Sequence, residues 1–166
     1  MSKFEIISTI LAAIGIFATI YNLQLFVRAS RADHERRRKQ ATIEYAGQLL
    51  REARMKIDVR YRFQALTSED INKVMSNPEE EAELRNILGV FEHLAVGVHA
   101  GVYDRDILYR MSATYIISIF QRVKAYIDVA REKFSPNAFT EFERLATEFK
   151  SRKENAISVK GDIEYS

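Results

Sequence analysis

The sequence contains no cysteine among its 166 residues. This absence excludes a disulfide framework, thiolate metal sites and cysteine nucleophiles. Proline and glycine are also sparse, with two and six residues respectively. These two residues disfavour helix interiors most strongly, and the remainder is rich in good helix formers, so the composition favours helices over sheets. We therefore predict an all-α fold.

Strong net charge and the common catalytic motifs are missing as well. A formal charge of +2 is too small by itself to indicate nucleic acid, whose phosphates are usually met by a strongly basic face. The sequence has no Gly-rich phosphate loop, no GxSxG elbow and no HExxH motif. His93 and His99 do not share one side of a helix, and His34 lies elsewhere. We expect no enzyme activity, no metal or cofactor, and no small-molecule substrate.

One long apolar run, residues 6–26, contains no charged residue. At about 1.5 Å per residue it is long enough to cross a hydrocarbon core of roughly 30 Å. A cleaved signal peptide would have a shorter apolar stretch and a small-residue cleavage site, and a buried helix would have a polar face. We therefore predict a transmembrane anchor within residues 1–27.

Basic residues follow the apolar run, whereas Lys3 alone precedes it. The basic cluster comprises Arg28, Arg31, Arg36, Arg37, Arg38 and Lys39. The positive-inside rule then places the C-terminal domain in the cytoplasm, with residues 28–40 as a basic juxtamembrane helix or linker. The cluster either determines topology alone or also attracts anionic lipid headgroups.

Small and polar residues recur on one face of the predicted anchor. They are Ser8, Ala12, Gly15, Thr19 and Asn22. Membrane helices approach one another closely on such faces, although glycine and alanine are common in membrane helices generally. Both self-association and a chance arrangement fit this pattern.

The apolar periodicity of residues 41–153 predicts a helical domain. The first helix covers residues 42–63, with an apolar seam that either packs inside the domain or joins two subunits. The seam consists of Ile43, Ala46, Leu50, Ala53 and Ile57. Thr67 and Asn77 are helix caps, the first opening a short helix that ends near Met75.

Two further helices complete the predicted bundle. After a break at Gly101, Asp104 caps a long helix that ends near Lys133. Ser135 and Pro136 then start the last helix. Beyond Lys153 the apolar periodicity fades, so residues 154–166 are predicted to be a disordered polar tail.

Glu92 lies on the margin of an otherwise apolar helix face and needs a partner if it is buried. Arg131, Arg54 and Arg122 on neighbouring helices are candidates, since a guanidinium suits a carboxylate. An ion pair that stabilises the fold is the expected role, rather than catalysis.

Several short phrases resemble a known family. They are Ile87–Val98, Gly101–Asp104, Ala125–Ile127 with Arg131, and Phe142–Leu145. Together with the anchor they resemble bacterial single-pass membrane proteins of the domain-of-unknown-function 4760 family, over nearly the whole chain to about Phe149. The resemblance implies an anchored helical fold and no substrate. It singles out Glu92, Asp104 and Arg131 as a structural polar network.

Three functional hypotheses follow. The first is a module in the bacterial inner membrane whose cytoplasmic domain binds a protein partner or a second copy. The second is a self-assembling effector that perturbs the lipid bilayer, for example in phage defence. The third, nucleic-acid binding by residues 36–39, is disfavoured because no aromatic residue is interleaved with the basic run.

Overall fold

The computed structural model describes the backbone of residues 3–61 and 65–164, and the side chains of residues 14–57 and 65–156. All regular structure in these residues is helical, so the predicted all-α fold is confirmed. The elements are α1 (Lys3–Ala41), a π-helical segment (Thr42–Ala46), α2 (Gly47–Tyr61), α3 (Ser68–Ser76), α4 (Pro78–His99), α5 (Arg105–Lys133) and α6 (Thr140–Glu164).

The chain divides into two compact units, Met1–Arg38 and Lys39–Ser166. In the first unit, apolar side chains of residues 14–27 are exposed to solvent, Phe17 by 73% and Phe26 by 72%. Within the part of the chain that the structure describes, no helix combines the length and the apolar character needed to cross a membrane. Residues 6–13 of the predicted span have side chains outside the described residues.

Local capping signals position the helices of the second unit. Thr67 caps α3, Asn77 caps α4 with Pro78 in its first turn, and Asp104 caps α5. Each cap side chain accepts backbone N–H groups that have no partner inside the helix. All three predicted caps are confirmed, because each depends only on residues within a few positions.

The core forms where α6 packs against both α4 and α5, while α2 and α3 pack against α4. Phe142 of α6 lies at the centre and is fully buried. Its ring stacks on Phe91 of α4, with centroids 5.0 Å apart, and meets Phe120 of α5 edge-on at 5.6 Å. Aromatic pairs in these geometries add to the free energy gained by burying their surface.

The first predicted helix of the domain differs from the structure at its start. It begins with the π-helical segment, in which Thr42 is buried and Ile43 is 53% exposed. A π-helical turn holds more residues than an α-helical one, so it changes which side chains of this segment face the core. The rest of the predicted seam, from Ala46 to Ile57, is buried as expected inside the domain. The end predicted at Phe63 lies outside the described residues.

The last helix begins and ends later than the sequence indicated. Residues 134 and 136–139 form turns, with Phe139 at a left-handed φ of 58°, and α6 starts only at Thr140. Pro136 therefore belongs to a turn, not to a first helical turn. Residues 154–164, predicted as a disordered tail, continue α6 in the structure.

Candidate functional site

The predicted packing face of the anchor is described only in part. Gly15 has open space around the position of a Cβ atom, and the Thr19 hydroxyl donates to the Gly15 carbonyl oxygen at 2.8 Å. The Thr19 hydroxyl is therefore satisfied within its own helix. Asn22 is exposed, while the side chains of Ser8 and Ala12 lie outside the described residues.

The basic cluster lies in α1, and all its members except Arg38 are exposed. Arg37 pairs with Asp33 one turn earlier, with Nε 2.8 Å from the carboxylate. An exposed pair of this kind contributes little stability. The charges of the cluster are therefore accessible to anionic partners.

Glu92 caps the start of α6. Its carboxylate accepts the backbone N–H of Phe142 at 2.8 Å and that of Glu141 at 3.2 Å. A carboxylate at this position satisfies two N–H groups that the helix leaves unpaired and meets the positive end of the helix dipole. The predicted arginine partner is wrong, because the carboxylate binds backbone N–H groups instead.

Arg131 holds the same region of the chain from α5. Its Nη1 lies 2.7 Å from the Glu143 carboxylate, and its Nε donates to the Ala138 carbonyl oxygen at 3.0 Å. Glu92 and Arg131 therefore both secure the turn before α6 and its first residues. The two side chains act on this turn from different helices.

Asp104 belongs to another part of the domain. It precedes Arg131 by the length of α5, which at 1.5 Å per residue is about 40 Å. Its carboxylate caps α5, and its backbone N–H donates to the buried Thr42 hydroxyl oxygen at 2.6 Å. The structure thus divides the predicted polar network into two separate sites.

His99 forms a further polar contact between α4 and α6. Its Nδ1 contacts the Glu141 carboxylate, and its Nε2 lies 4.0 Å from the Glu148 carboxylate. Arg105 pairs with the same Glu148 at 2.7 Å. Among the described residues, no group of three or more potential ligands is arranged to hold a metal ion.

A buried polar pair links α4 to α5. The Tyr126 hydroxyl donates to the Glu81 carboxylate at 2.9 Å, and both side chains are buried. Arg85 lies 3.2 Å from the same carboxylate. This pair was not predicted from the sequence, because nothing near Glu81 identifies a tyrosine forty-five positions later as its partner.

An arginine groove lies between α5 on one side and the π-helical segment and α2 on the other. It consists of two adjoining cavities of about 350 and 460 Å³, and none of the described residues that line either cavity is acidic. Its polar lining residues are Arg51, Arg54, Arg110, Arg122, Ser112, Thr114, Ser118, Tyr109 and Tyr115.

The groove was not predicted from the sequence, although a signal was present. Arg110, Thr114, Ser118 and Arg122 recur every four residues and form one polar stripe along α5. A polar stripe on a helix usually faces solvent, so only the position of α2 identifies this one as the wall of a groove. Met111, one position after the start of this stripe, is 45% exposed and lines the groove.

These features define a class of protein: an all-helical domain that follows a helix with a basic cluster and an exposed apolar belt. The apolar belt consists of the exposed apolar side chains of residues 14–27. A family model described as a domain of unknown function (DUF4760) matches residues 9–149. The chain belongs to this family, as its resemblance indicated. No curated protein and no solved structure matches the chain.

Proposed function

We propose that this protein is a membrane-tethered interaction module, with residues 6–26 in the bilayer and the helical domain presented on the cytoplasmic side. The apolar belt of α1 is the observation that carries the proposal. Its exposed side chains include Ile16 at 61%, Phe17 at 73% and Phe26 at 72%. Exposed apolar surface of this extent indicates contact with lipid or with another protein.

The basic cluster supports the same arrangement. Basic residues that follow an apolar helix directly are typical of the cytoplasmic side of a membrane anchor. Each such residue near an anionic surface contributes about 1 kcal/mol of attraction. In the proposed function the basic cluster orients α1 in the membrane. The helical domain that follows in the sequence binds a protein partner or a second copy of the chain.

Alkaline carbonate extraction of membranes from expressing cells tests the tether. We expect the wild-type chain to stay with the membrane and the double variant Ile16→Lys, Ile20→Lys to be released, because each lysine at a helix centre opposes insertion by about 3 kcal/mol. The matched control is Val96→Lys, Val102→Lys, which charges similarly exposed apolar positions of the domain. Release of the wild-type chain would contradict the proposal.

Purification in mild detergent tests the interaction. We expect the full chain to have a mass above that of one copy, or to co-purify with a specific protein. A chain that lacks the domain should lose this association. A monomer without any partner, in the wild-type form, would remove the proposed role of the domain.

A second function, a self-assembling membrane effector, is supported by the open face at Gly15. With no atom within 4 Å of a Cβ position and the Thr19 hydroxyl already satisfied, another helix can approach closely here. If expression depolarises cells and Gly15→Leu abolishes this effect, the effector function is favoured. If Gly15→Leu changes nothing while loss of the domain does, the interaction module is favoured.

A further inference from the structure

We propose that the arginine groove binds a small organic phosphate, with the phosphate group between the guanidinium groups and the carbon skeleton against the apolar side chains at the other end. This inference assigns a ligand to the domain and does not rest on membrane attachment. All residues of the groove lie in the second compact unit.

The charge of the groove carries the first step of the argument. Four arginines line it without any acidic residue in either cavity, and Lys153 adds a cation at the rim through its 3.3 Å contact with the Thr114 hydroxyl. Within the described residues, Arg51 and Arg110 have no ion pair or hydrogen bond. Like charges that line one groove repel, so an anion bound among them lowers the free energy.

The chemistry of the lining residues selects the kind of anion. A guanidinium presents planar pairs of N–H donors that match phosphate oxygens, and such charge-assisted bonds are stronger than neutral ones. Ser112 and Ser118, both half-buried, add hydroxyl donors. The Arg54 guanidinium lies 5.2 Å from the centre of the Tyr115 ring, an interaction that restricts its orientation.

The other end of the groove is apolar. Ile43, Leu50 and Met111 line the second cavity, close to Gly47, where a Cβ atom would lie 3.3 Å from the Met111 methyl group. An inorganic ion would leave this surface unused. An organic phosphate would cover it, whether the phosphate belongs to a free metabolite or to a phospholipid headgroup.

Thermal unfolding of the full chain in dodecyl maltoside, with increasing inorganic phosphate, tests the site. Phosphate stabilises many proteins without binding, so sodium chloride at equal ionic strength and a comparison of variants are needed. The test variant is Arg110→Gln, an exposed groove residue, and the control is Arg144→Gln, an exposed arginine of α6 outside the groove.

We expect a saturable rise in the unfolding midpoint for the wild type and for Arg144→Gln. For Arg110→Gln the half-saturating phosphate concentration should rise about tenfold, the effect of losing one charge-assisted bond. The absence of a saturable rise in the wild type, or identical curves for all three proteins, would overturn the proposal.

A second arm distinguishes the two sources of phosphate. Phosphatidylglycerol is added to the micelles at increasing mole fraction while phosphate is held at half saturation. Loss of the phosphate response in the wild type identifies a lipid headgroup, and an unchanged response identifies a soluble ligand. Both results support a phosphate site in the groove.

Discussion

At the scale of single residues, the turn after α4 depends on the missing side chain of Gly97. The chain returns over this residue, and the backbone N–H groups of Val102 and Tyr103 donate to its carbonyl oxygen at 2.9 and 3.1 Å. A Cβ atom at Gly97 would lie 2.4 Å from the Tyr103 ring. Burial raises the pKa of the Tyr103 hydroxyl above its ordinary value, and the nearby Tyr45 phenol has a smaller effect in the same direction.

Gly97→Ala should therefore destabilise the domain by roughly 1–3 kcal/mol, because the Tyr103 ring must move. The matched control is Gly89→Ala on the same helix, where a Cβ atom meets nothing within 4 Å. That substitution should stabilise the protein by about 0.5–1 kcal/mol, since alanine is the better helix former. Chemical denaturation measures both changes, and equal effects would contradict the close contact.

A second residue-scale prediction concerns Glu92. Glu92→Ala should lower the free energy of unfolding by about 1–2 kcal/mol, because two N–H groups of α6 lose their acceptor. Glu132→Ala on the exposed end of α5 removes the same charge and should have little effect. A similar loss of stability in both variants, measured by urea denaturation, would show that charge alone is responsible.

At the scale of elements, helix α3 begins with a reciprocal capping box. The Asp70 carboxylate accepts the Thr67 hydroxyl at 2.7 Å and the Thr67 backbone N–H at 2.9 Å, while the Asp70 N–H donates to the Thr67 hydroxyl oxygen at 3.2 Å. The side-chain bond and then the backbone bond hold the pKa of the Asp70 carboxyl below its ordinary value. The charged form of Asp70 is thus favoured in the folded state.

This shift makes the stability of α3 depend on pH. A lowered pKa in the folded protein contributes stability above the unfolded pKa, and this contribution is lost as pH falls through the folded value. Asp70→Asn should lower the unfolding midpoint at neutral pH. The difference from the wild type should shrink below about pH 4, where the carboxyl of the unfolded chain becomes protonated. A difference that stays constant down to acid pH would contradict this role.

At the scale of the whole molecule, the buried apolar residues that the structure describes all lie in the second unit. Its described members run from Ala46 to Phe149, and the described side chains of α1 before Arg38 are exposed. We therefore expect a chain starting at His34 to fold without the residues before it. Circular dichroism should show a helical spectrum and one cooperative thermal transition, since burial of one core drives folding. A thermal unfolding curve without a cooperative transition would contradict this expectation.

Composition and short sequence patterns were enough to predict the helical class, the family and most helix starts. Thr67, Asn77 and Asp104 act on backbone groups within three positions, so their effect is visible in a short stretch of sequence. Apolar periodicity likewise identified the buried face from Ala46 to Ile57.

Contacts between groups far apart in the sequence became visible only in the folded domain. The Glu92 carboxylate accepts backbone N–H groups forty-nine and fifty positions later. The sequence predicted an arginine as its partner, and no local pattern indicates that the partner is instead the start of a helix. The same contact caps the first turn of α6, which begins at Thr140 after the turn at residues 136–139. The arginine groove likewise exists only because α2 packs beside the polar stripe of α5. Long-range pairing depends on how whole helices pack, and packing combines many weak contacts that no short segment contains.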